Sequence, residues 1–175
     1  MHRANLIAIT LASLLATATA AALPDDRYKP INVQANKAEQ KNTDEITTTV
    51  YTGDVVITQG SMKINGERIT ITSQKGQIQR LVAVGKPARF EQLSSLEKAP
   101  IIAHGNTIDY RITRELVVLR DQASIEQDDS LVTGSLINYN ITEERVIANG
   151  NKGERVNIVI PPNKQTPANS TSGDS

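Results

Sequence analysis

Polar and apolar positions alternate along this chain in short runs, and the clearest run is Tyr51 to Ile71. Tyr51, Val55 and Ile57 fall on one parity, the spacing a pleated strand needs to turn one face to a core. Gln59-Gly60-Ser61 carries turn chemistry, because glycine takes φ > 0 without a Cβ clash. Met62 and Ile64 resume the alternation, Asn65-Gly66 is a hairpin dipeptide, and Ile69 and Ile71 open another run. The stretch predicts three short strands joined by two tight turns.

The same pattern returns 68 positions later. The shift places Val33 on Ile101, Ala35 on Ala103, Val50 on Val118, Ile57 on Ile125, Ile69 on Ile137 and Ile78 on Val146. Gln59 falls on Gln127 and Gly66 on Gly134 in the same frame, without a gap. The chain reads as an internal β-repeat.

The remaining segments follow the same logic. Leu23 to Pro30 predicts an extended leader, since each proline pushes the residue before it toward extended geometry. Ile31, Val33 and Ala35 alternate as a first strand, and the polar stretch Lys37 to Glu45 has room for another strand and its turn. Ile78 to Val84 is a strand, Gly85-Lys-Pro87 breaks the chain, and Ala88 to Gln92 begins again. Ser94 to Lys98 is a loop at the join of the repeats. The second half predicts short strands at 101–103, 107–112, 116–119, 123–125, 131–132, 136–139, 146–148 and 156–160. Turn signals every eight to twelve residues with no amphipathic helix predict an all-β fold.

The two ends shorten a chain that is one domain long. Residues 1–22 have a short basic start, an apolar middle and an Ala-rich finish, which predicts a secretory signal peptide cleaved after Ala20 or Ala22. Their apolar part is about ten residues, against roughly twenty for a membrane span. The domain is expected over 23–160, and the polar residues 161–175, opening with Pro161-Pro162, as a disordered tail. Export without any cysteine means stability from burial and strand pairing alone, and a bacterial periplasm fits best.

Composition removes several functions. The 19 basic and 19 acidic residues cancel, so no electrostatic case for nucleic acid arises. No phosphate-cradling glycine motif is present, and no cofactor is expected. His104 is the one imidazole beyond the leader and stands at no recognisable metal or triad spacing, so neither a metal site nor catalysis is expected. Asp128-Asp129 and Glu143-Glu144 read as polar turn residues. A hydrolase grouping Tyr110, His104 and Asp109 is the weakest alternative.

One feature has functional potential: an aliphatic stripe of Ile31, Val33, Val55, Ile57, Met62, Ile64, Phe90, Tyr110 and Ile112. Each of these residues is equally what ordinary core packing requires. Together, in a chain with one Phe and no Trp, they can line a slot for acyl chains. Burying about twelve methylenes there contributes on the order of 10 kcal/mol, at roughly 0.8 each.

The strings Lys29-Pro-Ile-Asn-Val33, Tyr51 to Ile71, Gly85-Lys-Pro-Ala-Arg-Phe90, Val117-Val-Leu119 and Arg155-Val156 give the chain its family likeness. It resembles the OstA-like family of periplasmic lipopolysaccharide-transport proteins, over roughly residues 27 to 160. Arg89 departs from that pattern, in which a neutral residue would be unsurprising. The resemblance implies an antiparallel β-jellyroll, slightly open, with two stacked sheets. It also implies a groove holding the lipid A acyl chains of lipopolysaccharide between an inner-membrane anchored component and an outer-membrane translocon. Ile31, Val33, Phe90, Tyr110 and Ile112 would be its lipid-facing positions, with Val55, Ile57 and Ile64 as further wall. Head-to-tail self-association would pair the first strand (Ile31, Val33) with the last (Val156, Ile158, Ile160), an open-ended contact that builds a filament. The alternative is an exported β-repeat scaffold or adhesin module with a filled core.

Overall fold

The computed structural model describes residues 26–93 and 98–162, and over them the chain is nearly all strand. Ten strands follow in order: β1 (Asn32–Gln34), β2 (Lys37–Asn42), β3 (Ile46–Gln59), β4 (Met62–Gln74), β5 (Gln77–Gln92), β6 (Ile101–Arg111), β7 (Leu116–Gln127), β8 (Ser130–Asn140), β9 (Arg145–Asn149) and β10 (Asn157–Val159). All pair antiparallel in a meander. β1 and β2 share one side of β3, and β9 and β10 share one side of β8, so each edge is a single line of strand broken in two.

The long strands carry a register shift in their middle: Thr52/Val55 in β3, Asn65/Arg68 in β4, Val84/Ala88 in β5, His104/Thr107 in β6 and Arg120/Ala123 in β7. Extra residues in one strand of a pair bend it and raise its twist. A column of such bends folds the sheet on itself into two facing halves, the layers of an open jellyroll. One half holds β1 and β10 at its edges, and the other holds β2 and β9.

The repeat is visible in the backbone. Gly53 and Asp54 sit at φ 83° and 45°, and Asp121 and Gln122, 68 residues on, at 59° and 56°. Gly66 and Gly134 are a second match: a Cβ on either would stand 2.9 Å from a carbonyl oxygen, that of Val84 or of Asn149. The matched glutamines do one job twice. Gln59 donates to the carbonyl of Lys29 at 3.0 Å and Gln127 to that of Ala99 at 3.1 Å, each tying down the segment that enters its repeat.

Several expectations change. Asn65-Gly66 is a bend inside β4, so 51–71 holds parts of two long strands joined by one tight turn. Gly85-Lys86-Pro87 likewise lies within β5, and the short pairs 101–103 and 107–112, 116–119 and 123–125, and 131–132 and 136–139 fuse into β6, β7 and β8. Turn-forming residues serve a bulge as well as a hairpin, and only the partner strand decides which. The leader has one turn of 3-10 helix at Asp26–Tyr28, because Asp26 accepts hydrogen bonds from the amide and hydroxyl of Ser61. Ile112 opens a second such turn, Ile112–Arg114, and Val156 and Ile160 flank β10. The expected signal peptide, most of the tail and Ser94 to Glu97 lie outside the described residues.

Candidate functional site

Strand alternation puts one side chain in two on the inner face. In the first half these form one row across the sheet: Val33, Ile57, Ile64, Phe90, Ala103, Ile125, Val132 and Ile158, each paired with the next. In the second half a matching row runs Ala38, Tyr51, Ile69, Ala83, Ile108, Leu119, Ile137 and Ala148. Phe90 of one half and Tyr110 of the other meet edge-on, with ring centroids 6.0 Å apart. Burial is complete in the middle and fails at both ends. Ile57, Phe90 and Ala103 have no exposure, Val33 and Val132 are half-buried, and Ile158 is 60% exposed. The apolar interior is therefore continuous from edge to edge and uncapped at the edges.

The sequence-predicted residues divide along this axis. Val55, Ile57, Ile64, Phe90 and Tyr110 lie in the closed centre, packed against one another, while Ile31, Val33 and Ile112 border it half-buried. Ile158 and Ile160 are exposed and Val156 is half-buried at the β8 side. Arg89 points outward and pairs with Glu91, which accounts for its charge.

Free space sits toward the β8 side. A cavity of about 320 Å³ is walled by Ile101, Ile125 and Val132 from the first half and by Tyr139 and Val146 from the second. Lys98 and Glu144 line its rim and pair at 2.5 Å, joining the tips of the two halves. Asp128 holds this segment by accepting from the amide of Ala99 at 3.0 Å. Burial, with Glu144 nearby, pushes the Tyr139 phenol up to about 12, so it stays neutral in an apolar wall. Sequence reasoning missed these wall residues although the repeat pointed to them: Ile125, Val132 and Tyr139 are Ile57, Ile64 and Ile71 shifted by 68.

Chemistry elsewhere is structural. Asp109 is fully buried on the outer face of β6, and Arg80 grips it with two hydrogen bonds of 2.6 and 3.0 Å. Arg111 adds two of 3.3 Å, and Arg120 stands at 3.7 Å. Burial pushes the Asp109 carboxyl up, but the hydrogen bonds and charges of Arg80 and Arg111 outweigh it and hold the group below its ordinary value. Asp109 and Tyr110 point to opposite faces of β6, and His104 lies in the other half-sheet, so the three do not converge. Burial and Arg89 push the His104 imidazole down, against a pull from Glu126. Asp128 and Asp129 form a tight turn at φ 49° and 66°. Among the described residues no three His, Cys, Asp or Glu gather as a metal site, and no helix is long and apolar enough to cross a membrane.

This architecture has known relatives. Residues 32–145 match the family described as LptA/(LptD N-terminal domain) LPS transport protein. The lipopolysaccharide export system protein LptH of Pseudomonas aeruginosa is 44% identical over 67% of each chain. LptA of Escherichia coli K12 is 30% identical over 95% of each. The crystal structure of LptH, described as the LptA-homologous periplasmic component of the lipopolysaccharide transport device, superposes with a TM-score of 0.73 at 38% identity, covering 79% of this chain and all of that one. A kinked, edge-open sheet with an apolar lining and a family match over most of its length leave one assignment: the chain belongs to the LptA/LptD N-terminal-domain family of LPS transport proteins.

Proposed function

We propose that this protein is a periplasmic carrier that holds the acyl chains of lipopolysaccharide between its half-sheets. It works without catalytic chemistry. The observation that carries the reading is the pair of apolar rows running from edge to edge and left uncapped at both. Acyl chains enter beside Tyr139, where free volume already exists, and pass inward as the halves part. In the bridge, β1 and β2 of one copy meet β9 and β10 of the next, so that the rows continue from an inner-membrane anchored component to an outer-membrane translocon. The broken edge strands offer unpaired backbone groups for that contact. Signal-peptide removal and a tail beyond residue 160 complete the proposed chain organisation.

The test is photo-crosslinking to lipopolysaccharide from probes at Val33, Ile31 and Val132, with outward-facing Lys63 as control. Crosslinks from the inward positions are expected. Adducts at Lys63 with none inside would overturn the groove. Ile31→Asp should lower lipopolysaccharide binding while the β circular dichroism survives, since Ile31 is only half-buried. The packed centre favours one rival, a binding module with a filled core, and absence of co-purifying lipid would support it.

A further inference from the structure

The charges of this neutral chain are unevenly placed. On the outer face of the second half-sheet, Arg68 and Arg120 share one cross-strand row, and Lys41, Arg80 and Arg111 share another. Along and between these rows from β2 to β7 the acids are Glu39, paired with Lys37, and Asp109, buried beneath three guanidiniums, while Arg145 at the β9 end of the second row is already paired with Glu143. Asp109 takes the Nε and Nη2 of Arg80 and of Arg111, which leaves each Nη1 for an outside partner. The outer face of the first half-sheet is different: Lys63 lies on a row with Glu91 and Glu126, and Arg89 is already paired.

We propose that the basic face docks the protein on an anionic bilayer through the phosphates of its headgroups. The cations lie on five strands between β2 and β7 and in two rows four residues apart, a patch of about 24 Å by 14 Å at strand spacings of roughly 4.8 Å and a rise of roughly 3.4 Å. That spread suits a surface of mobile phosphates more than one shaped ligand. Guanidinium forks match phosphate geometry, and Asp109 holds two of them in place while cancelling one of the five positive charges, so the face keeps a clear positive excess. Between the cations the face carries Thr, Val and Asn, with no aromatic anchor of the kind that centres a protein interface. The attraction is electrostatic and short-ranged, fading within a Debye length of about 10 Å at 0.1 M salt.

The test is co-sedimentation of protein purified from the periplasm with vesicles of phosphatidylglycerol and phosphatidylcholine, without lipopolysaccharide. Binding is expected to the anionic vesicles at low salt, to vanish in 0.5 M salt, and to be absent on phosphatidylcholine alone. Each cation removed should weaken it about fivefold, which corresponds to roughly 1 kcal/mol. The variant Lys41→Gln, Arg68→Gln, Arg120→Gln spares the two arginines that grip Asp109, and should lose about a hundredfold. Lys63→Gln with Arg89→Gln on the other face should lose little. Equal binding by the triple variant and the native protein, or equal loss in the control, would overturn the proposal. Because no lipopolysaccharide is present, the result is independent of whether the interior carries lipid.

Discussion

Phe90 and Tyr110 face each other edge-on across the interior, 65° between ring planes, and belong to different halves of the folded sheet. The strands holding them pair along their length, but these two rings meet because the bends bring the layers together. A double-mutant cycle with Phe90→Leu and Tyr110→Leu in urea unfolding should give a coupling of about 1 kcal/mol, the usual worth of such a pair. Strict additivity would mean that the layers are not held together there.

Asp109 makes a pH prediction with a definite sign. Its folded carboxyl titrates below the ordinary 3.8, so its contribution is complete above that value and disappears as pH falls below it. Asp109→Asn should be less stable than the native chain at pH 7 by about 1.5–3 kcal/mol, the range for hydrogen bonds to a charged group. The gap between their urea midpoints should shrink by pH 3. A gap that stays constant would show that charge at Asp109 does not matter.

Gly66 and Gly134 should behave alike. A methyl group on either meets a backbone oxygen at 2.9 Å, which a strand cannot yield cheaply. Gly66→Ala and Gly134→Ala are each expected to destabilise by about 1–3 kcal/mol, as overpacking does. A neutral result at one position only would mean that the two corners are not equivalent.

Lys98 and Glu144 are exposed at the rim, so breaking their pair should leave the thermal midpoint nearly unchanged. Access to the cavity should nevertheless rise. An apolar fluorophore that brightens on burial should enter Glu144→Ala faster than the native protein, and equal rates would show that the pair does not gate the opening.

Deleting residues 156–160 should leave monomers under cross-linking conditions in which the intact chain forms ladders. Persisting ladders would place the contact between copies elsewhere.

The alternation at Val55, Ile57, Met62 and Ile64 made the strands and their inner face legible in the sequence, and the offset of 68 made the duplication legible. The bends were not legible. Asn65-Gly66 has hairpin chemistry, yet its conformation is fixed by Val84 on the neighbouring strand, a contact that no local pattern encodes. Arg89 was similarly opaque until its outward parity and Glu91 were known. The mouth near Tyr139 was half legible. Its aliphatic wall follows from the repeat, whereas Lys98 and Glu144 meet only because two hairpin tips are folded together.

The inner rows carry a last consequence. From Ile57 to Val132 every apolar side chain of the row has a neighbour on both sides, whereas Val33 and Ile158 have one on one side only. The sheet stops where strands run out, not where the packing is finished. How much of this surface stays wet is then set by protein concentration and by what lies alongside, so solubility and assembly are governed by the same two edges.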